Sequence, residues 1–225
     1  MKKVLFALCA LVLATSCINI HIGNGKTISC KGPVVEKSMD LTGFTSIVVN
    51  GSSNLTFSQS DAFSVVVTAN EEVFEHIDYR VEDGVLVIAH KNGANIRAQK
   101  YEVAVTLPYA ESVVLNGAAD MNQKGAYVSD KDLKVQVNGA GDLCMVSVQV
   151  PGLMLSVNGA ADIKASGLDV QNLNVSVNGA GDAELSGKAA SAVFSVNGAG
   201  DIDARELECG NVSTHKAGVA SIRLK

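Results

Sequence analysis

The phrase VNGAGD stands at 137–142, 177–182 and 196–201, with VNGAAD at 157–162 and LNGAAD at 115–120. Its asparagines, at 116, 138, 158, 178 and 197, lie 22, 20, 20 and 19 residues apart. A period near twenty constrains the fold more than composition does, because each unit can bury its apolar face only against its neighbours. Either every copy holds a ligand or every copy turns the same corner.

The residues around the phrase alternate. Ahead of the asparagines come Leu133, Val135, Val137, then Leu153, Leu155, Val157, then Leu173, Val175, Val177, then Ala192, Phe194, Val196. Polar side chains separate most of them, with Met154 and Val193 as exceptions. After each aspartate the pattern resumes, as Leu143/Met145, Ile163/Ala165, Ala183/Leu185 and Ile202/Ala204. Period two on both sides of the phrase predicts two strands per unit with one face buried.

A leucine-rich repeat needs a helix or 3₁₀ turn where this chain has ASGLDVQN or LSGKAASA, and a propeller blade needs about twice the period. The expected fold is therefore all-β, a right-handed parallel β-helix (solenoid) with about 20 residues per rung. Val157 to Ile163 spans an even number of residues, so the parity survives the phrase. Gly159 and Ala161 should face inward, and Asn158, Ala160 and Asp162 outward. Stacked copies predict an asparagine ladder and an aspartate ladder at a tight corner. The final unit is degenerate: VSTHKAGVASI aligned on VSVNGAGDAEL puts His215 for Asn and Val219 for Asp, as an end cap would. Lys216, Arg223 and Lys225 there discourage pairing between edges.

Upstream, GFTSIVVNG, SNLTFSQ, FSVVVTA, YRVEDGVLVIAH and YEVAVTLP read as short strands, ANEEVFEHI as briefly helical, and 91–99 as a loop. One domain is predicted over 41–225, with irregular rungs at 41–110 and regular ones at 111–225.

The start of the chain sets the compartment. MKKVLFALCALVLATSC has two lysines, an apolar run and small residues before Cys17. This predicts a signal peptide at 1–16, acylation of Cys17, and a tether over 17–40. The anchor makes the membrane a partner and places the protein in the cell envelope, at the outer membrane, on either its surface or periplasmic side. Loss of 1–16 would leave 16 basic and 23 acidic side chains, a charge that excludes nucleic acid as a partner. Cys30, Cys144 and Cys209 show no C-x-x-C spacing, so neither zinc nor a disulfide framework is indicated, and Cys144–Cys209 pairing is left open.

GFTSIVVNGSSNLTF, the YRVEDGVLVIAH hairpin, YEVAVTLP and the serial NGAGD units together resemble the GIN-type head domain of auto-transporter adhesins, over about 41–225. The resemblance implies a right-handed β-helix in an exported protein and supplies no catalytic residues.

Stacked one per rung, Asp120, Asp142, Asp162, Asp182 and Asp201 would lie about 5 Å apart, the spacing of a retaining glycosidase pair. A polysaccharide-active enzyme is thus the alternative function. An active site should be unique, however, and these carboxylates repeat, so the non-enzymatic reading is preferred. Asp142, Asp162, Asp182 and Asp201 are the weak metal candidates, for calcium, and no other cofactor is indicated. His21, His76, His90 and His215 lack ligand spacing. The absence of Trp weakens tight sugar binding. The sequence therefore points to a scaffold or adhesion-type module whose ligand is an envelope glycan or protein, in an undefined oligomeric state.

Overall fold

The alternating residues of each unit do form one buried face. In the computed structural model, which describes residues 27–225, Leu133, Val135 and Val137 are buried, as are Leu153, Leu155, Val157, Leu173, Val175 and Val177. The exceptions Met154 and Val193 stand outside, 41% and 45% exposed. Across the corner Ala161 is buried and Asn158, Ala160 and Asp162 are exposed, as parity requires. The signal peptide, Cys17 and His21 lie outside the described residues.

Identical levels stack in register. Leu153 pairs with Leu133 and Leu173, Leu155 with Val135 and Val175, and Val157 with Val137 and Val177, all in parallel strands. The next unit follows, with Ala192, Phe194 and Val196. Each β-branched side chain thus packs on a near-copy of itself about 4.8 Å away.

The expectation of a parallel β-helix solenoid over 41–225 is nevertheless corrected. Fifteen strands form one sheet of mixed pairing that wraps, barrel-like, around a single core. One wall runs from Val34–Met39 through Ser64–Asn70, Tyr101–Leu107, Asn54–Gln59, Met121–Lys124 and Leu143–Val146. The strand Ile163–Ala180 belongs to both walls. The second wall returns through Val148–Ala160, Leu133–Ala140, Ser112–Ala118, Ser46–Gly51, Val85–His90 and Ile77–Glu82. Its two ends, Val34–Met39 and Ile77–Glu82, do not pair with one another, so the sheet is nearly closed.

Antiparallel pairing enters at those ends. Ser64–Asn70 runs antiparallel to both Val34–Met39 and Tyr101–Leu107, and Ile77–Glu82 runs antiparallel to Val85–His90. Asp83 and Gly84, at φ 49° and 75°, make the two-residue turn of that last hairpin. Alternation reports which face a side chain takes and is blind to partner direction, so parity was readable where pairing was not.

Part of the expected tether is structured. Thr27–Cys30 pairs with Asn95–Ala98, which lies within the expected loop, and Val34–Met39 forms a sheet edge. As an edge strand with polar Glu36, Lys37 and Ser38, the latter carries little apolar alternation. Only Val73–His76 of the helical stretch is α-helix. Among the described residues no helix is long and apolar enough to cross a membrane.

The last unit stacks two residues away from the expected alignment. Gly218, not Lys216, lies over Gly198, whose carbonyl oxygen would be 2.2 Å from a Cβ at 218. Ser221, not Val219, takes the aspartate level and donates its N–H to Asp201 Oδ1 at 3.0 Å. Only glycine admits so close a carbonyl, so glycine sets the register. A shift of two preserves parity, which is why alternation did not detect it.

Candidate functional site

Two ladders run along the corner. Asn116 Nδ2 donates to Asn50 Oδ1 at 2.8 Å, Asn138 to Asn116 at 2.8 Å, Asn158 to Asn138 at 2.8 Å, and Asn178 to Asn158 at 3.0 Å. The ladder therefore begins one level before the five phrases. Asn50 stands in IVVNGSSN, in register with Asn116, and its V-x-N-G ending was the readable signal.

The aspartates bond between units. Asp142 N–H donates to Asp120 Oδ1 at 2.9 Å, Asp162 N–H to Asp142 at 3.4 Å, Asp182 N–H to Asp162 at 2.9 Å, and Asp201 N–H to Asp182 at 2.8 Å. Each carboxylate oxygen thus satisfies a corner amide that bends out of the sheet ladder. At the far end Asp201 meets Ser221 N–H and, at 2.7 Å, the Arg223 guanidinium. Arg223 reaches Asp201 only because the last unit is shifted by two residues, which alternation does not reveal. An exposed ion pair caps the ladder there.

The weak calcium candidates Asp142, Asp162, Asp182 and Asp201 therefore lie in single file, one per unit, each with one oxygen engaged by backbone. Among the described residues no group of three or more His, Cys, Asp or Glu side chains is placed to hold a metal ion. Melting curves with calcium and with chelator test the file directly. Superimposable wild-type curves are expected. Asp162→Asn, which keeps an acceptor oxygen and removes one repelling charge, should fall within about 0.5 kcal/mol of wild type. A calcium-dependent rise in Tm that the variant loses would establish a metal site.

The remaining singled-out residues do not converge. His90 Nδ1 lies 2.8 Å from Ala94 O, while its Nε2 is buried beneath Gly51 without a partner. His76 ends the short helix and His215 is exposed. Cys144 and Cys209 are unpaired. Burial, with the Glu72 charge second, pushes the Cys30 thiol up.

An open groove of about 710 Å³ lies on the wall that follows the aspartate corner. Its lining comes from the outward positions of three successive units, including Lys164, Ser166, Glu184, Ser186, Asp203 and Arg205. Lys164 and Glu184 are 4.0 Å apart, and Arg205 holds Asp203 through both carboxylate oxygens, with Nη2–Oδ2 at 2.5 Å. That guanidinium holds the Asp203 carboxyl down to about 2. Sign follows: the pair persists above the ordinary carboxylate range and is lost only as pH falls toward 2. Alternating charges and hydroxyls suit a polar ligand rather than an acyl chain.

The match that decides the family spans residues 43–225 and is to "Putative auto-transporter adhesin, head GIN domain". The chain belongs to that family. No curated protein matches it. Among solved structures, a "putative lipid binding protein" from Parabacteroides distasonis is 19% identical over 89% of this chain and 100% of that one, at TM-score 0.71. A "putative adhesin" from Bacteroides fragilis is 18% identical over 88% and 100%, also at TM-score 0.71. A second Parabacteroides distasonis "putative adhesin" is 15% identical over 89% and 100%, at TM-score 0.54. At these identities the likeness is one of fold. The GIN-domain family points to an exported or surface protein without assigning it a ligand.

Proposed function

We propose that this GIN-domain protein is a lipid-anchored, non-enzymatic adhesion or scaffold module of the cell envelope, attached through Cys17 to the outer membrane. One observation carries the binding reading over catalysis. Four successive aspartates, from Asp120 to Asp182, each accept the amide of the aspartate one unit on. A repeated contact is architecture, whereas catalysis requires one place where the chemistry differs. The polar groove along Lys164, Glu184 and Arg205 is the surface we assign to an envelope glycan or protein ligand.

Anchoring is tested by Cys17→Ala. The variant should move from the membrane to the soluble fraction and lose acyl mass. Continued sedimentation with membranes at high salt would overturn the anchor. Protease shaving of intact cells should remove the domain if it faces outward, as adhesion requires. Depolymerisation of any envelope glycan by the purified protein, lost on Asp162→Asn, would replace the binding reading with the enzymatic one.

A further inference from the structure

The two ends of the molecule are open sheet edges of opposite charge. At one end, residues 71–83 carry Glu71, Glu72, Glu75, Asp78, Glu82 and Asp83 against a single Arg80, which pairs with Asp78 and Glu82, while Glu72 accepts the Gly32 N–H. This segment includes the strand Ile77–Glu82, which ends one wall of the sheet. The neighbouring edge strand Val34–Met39 ends the other wall and adds Glu36 and Lys37. Lys37 lies over the Phe74 ring and Lys91 reaches Glu75 O, yet carboxylates still outnumber cations here.

At the opposite end lies the unit 212–224, the last part of the strand Ala183–Leu224. Residues 209–225 hold Lys216, Lys225 and Arg223 and no acidic side chain; Arg223 is paired with Asp201 and Asp203, so the two lysines carry the charge of this edge, with Glu208 nearby. Positions 211–219 are exposed throughout, with Val219 at 83%. Beside them a cavity of about 350 Å³ opens onto the end of the core at Phe194, Leu207, Val212 and Leu224. An exposed edge with apolar residues is a template for another strand. Like charge blocks its pairing with the same edge of a second copy, but the acidic end of a second copy complements it.

We infer that copies of this chain associate head to tail, the acidic 71–83 end of one docking on the basic 212–225 edge of the next. The contact joins two different patches, so it is heterologous and builds an open row rather than a closed dimer. Both walls have a free strand at each end, so backbone pairing can continue across the junction. The row is compatible with anchoring if the molecules lie along the membrane, because residues 17–26 can span up to roughly 35 Å.

The test uses full-length Cys17→Ala protein in sedimentation velocity across concentration and salt. At low ionic strength the average mass should more than double with concentration, and at about 1 M salt, where screening acts within ~3 Å, it should return to monomer. Lys216→Glu with Lys225→Glu should be monomeric alone, as should Glu71→Lys with Glu75→Lys. Mixed together, the two should recover association as rows of 1:1 composition, because the two reversed ends attract each other and the two native ends attract as in the wild type. Monomer at every salt, salt-independent association, or no recovery on mixing would each overturn the proposal. So would binding of monomers to anionic vesicles that Lys216→Glu with Lys225→Glu abolishes, since that would make lipid the partner of the basic end.

Discussion

Gly159→Val is expected to destabilise the protein by about 3 kcal/mol or more, the cost of overpacking added to backbone strain. For a chain of this length the corresponding fall in Tm is roughly 6–12 °C. A Cβ at 159 would lie 2.0 Å from the carbonyl oxygen of Gly139, and Gly159 itself has φ 146°. The obstructing atom is backbone, fixed by the sheet, so it cannot move aside as a side chain would. The same approach recurs above, where the carbonyl of Gly159 occupies the Cβ position of Gly179 at 2.1 Å. Displacing one level therefore disturbs the next. Gly43→Ala is the control, since Gly43 has φ 75° but nothing within 4 Å of a Cβ. It should show strain alone, about 1–2 kcal/mol. Urea midpoints of both variants against wild type measure the difference. Equal losses would mean that close approach of carbonyls plays no part at the corner.

That glycine file shows what could be read in advance. A period near twenty, an inward parity and a corner at N-G-A-G-D all follow from local spacing, and each corresponds to a level in the structure. Partner direction does not follow, because Ile77, Tyr79 and Val81 alternate with Asp78, Arg80 and Glu82 just as they would beside a parallel partner. Asn70 marks the same limit. Its amide donates to Gly32 O at 2.7 Å and accepts the N–H groups of Gln99 and Lys100 at 2.8 and 3.0 Å. It thus joins segments 29 to 38 residues away that no local pattern brings together. Tyr127 is similar, its buried hydroxyl both donating to and accepting from the backbone of Ala110. The aspartate file was legible as a file. Its bonding to the next unit's amide was not, because that depends on how the corner tilts out of the sheet.

Leu155→Ala should cost roughly 2–5 kcal/mol, as removal of a buried leucine side chain does. Leu155 is fully buried between Val135 below and Val175 above, in strands whose hydrogen bonds hold their separation. A core built from identical stacked levels cannot collapse into the gap by shifting one strand, since each strand is paired on both sides. The cavity should therefore persist, placing the loss toward the upper part of that range. Ser156, the next residue, stands between Gln136 and Ser176 on the outer face and is only partly covered. Ser156→Ala should change stability by less than about 0.5 kcal/mol. The contrast between adjacent positions tests the inward parity on which every later inference depends, including the level of the aspartates and the ends of the sheet. Denaturant midpoints read at constant m-value measure it. Similar losses at Leu155 and Ser156 would mean that burial does not alternate along this wall.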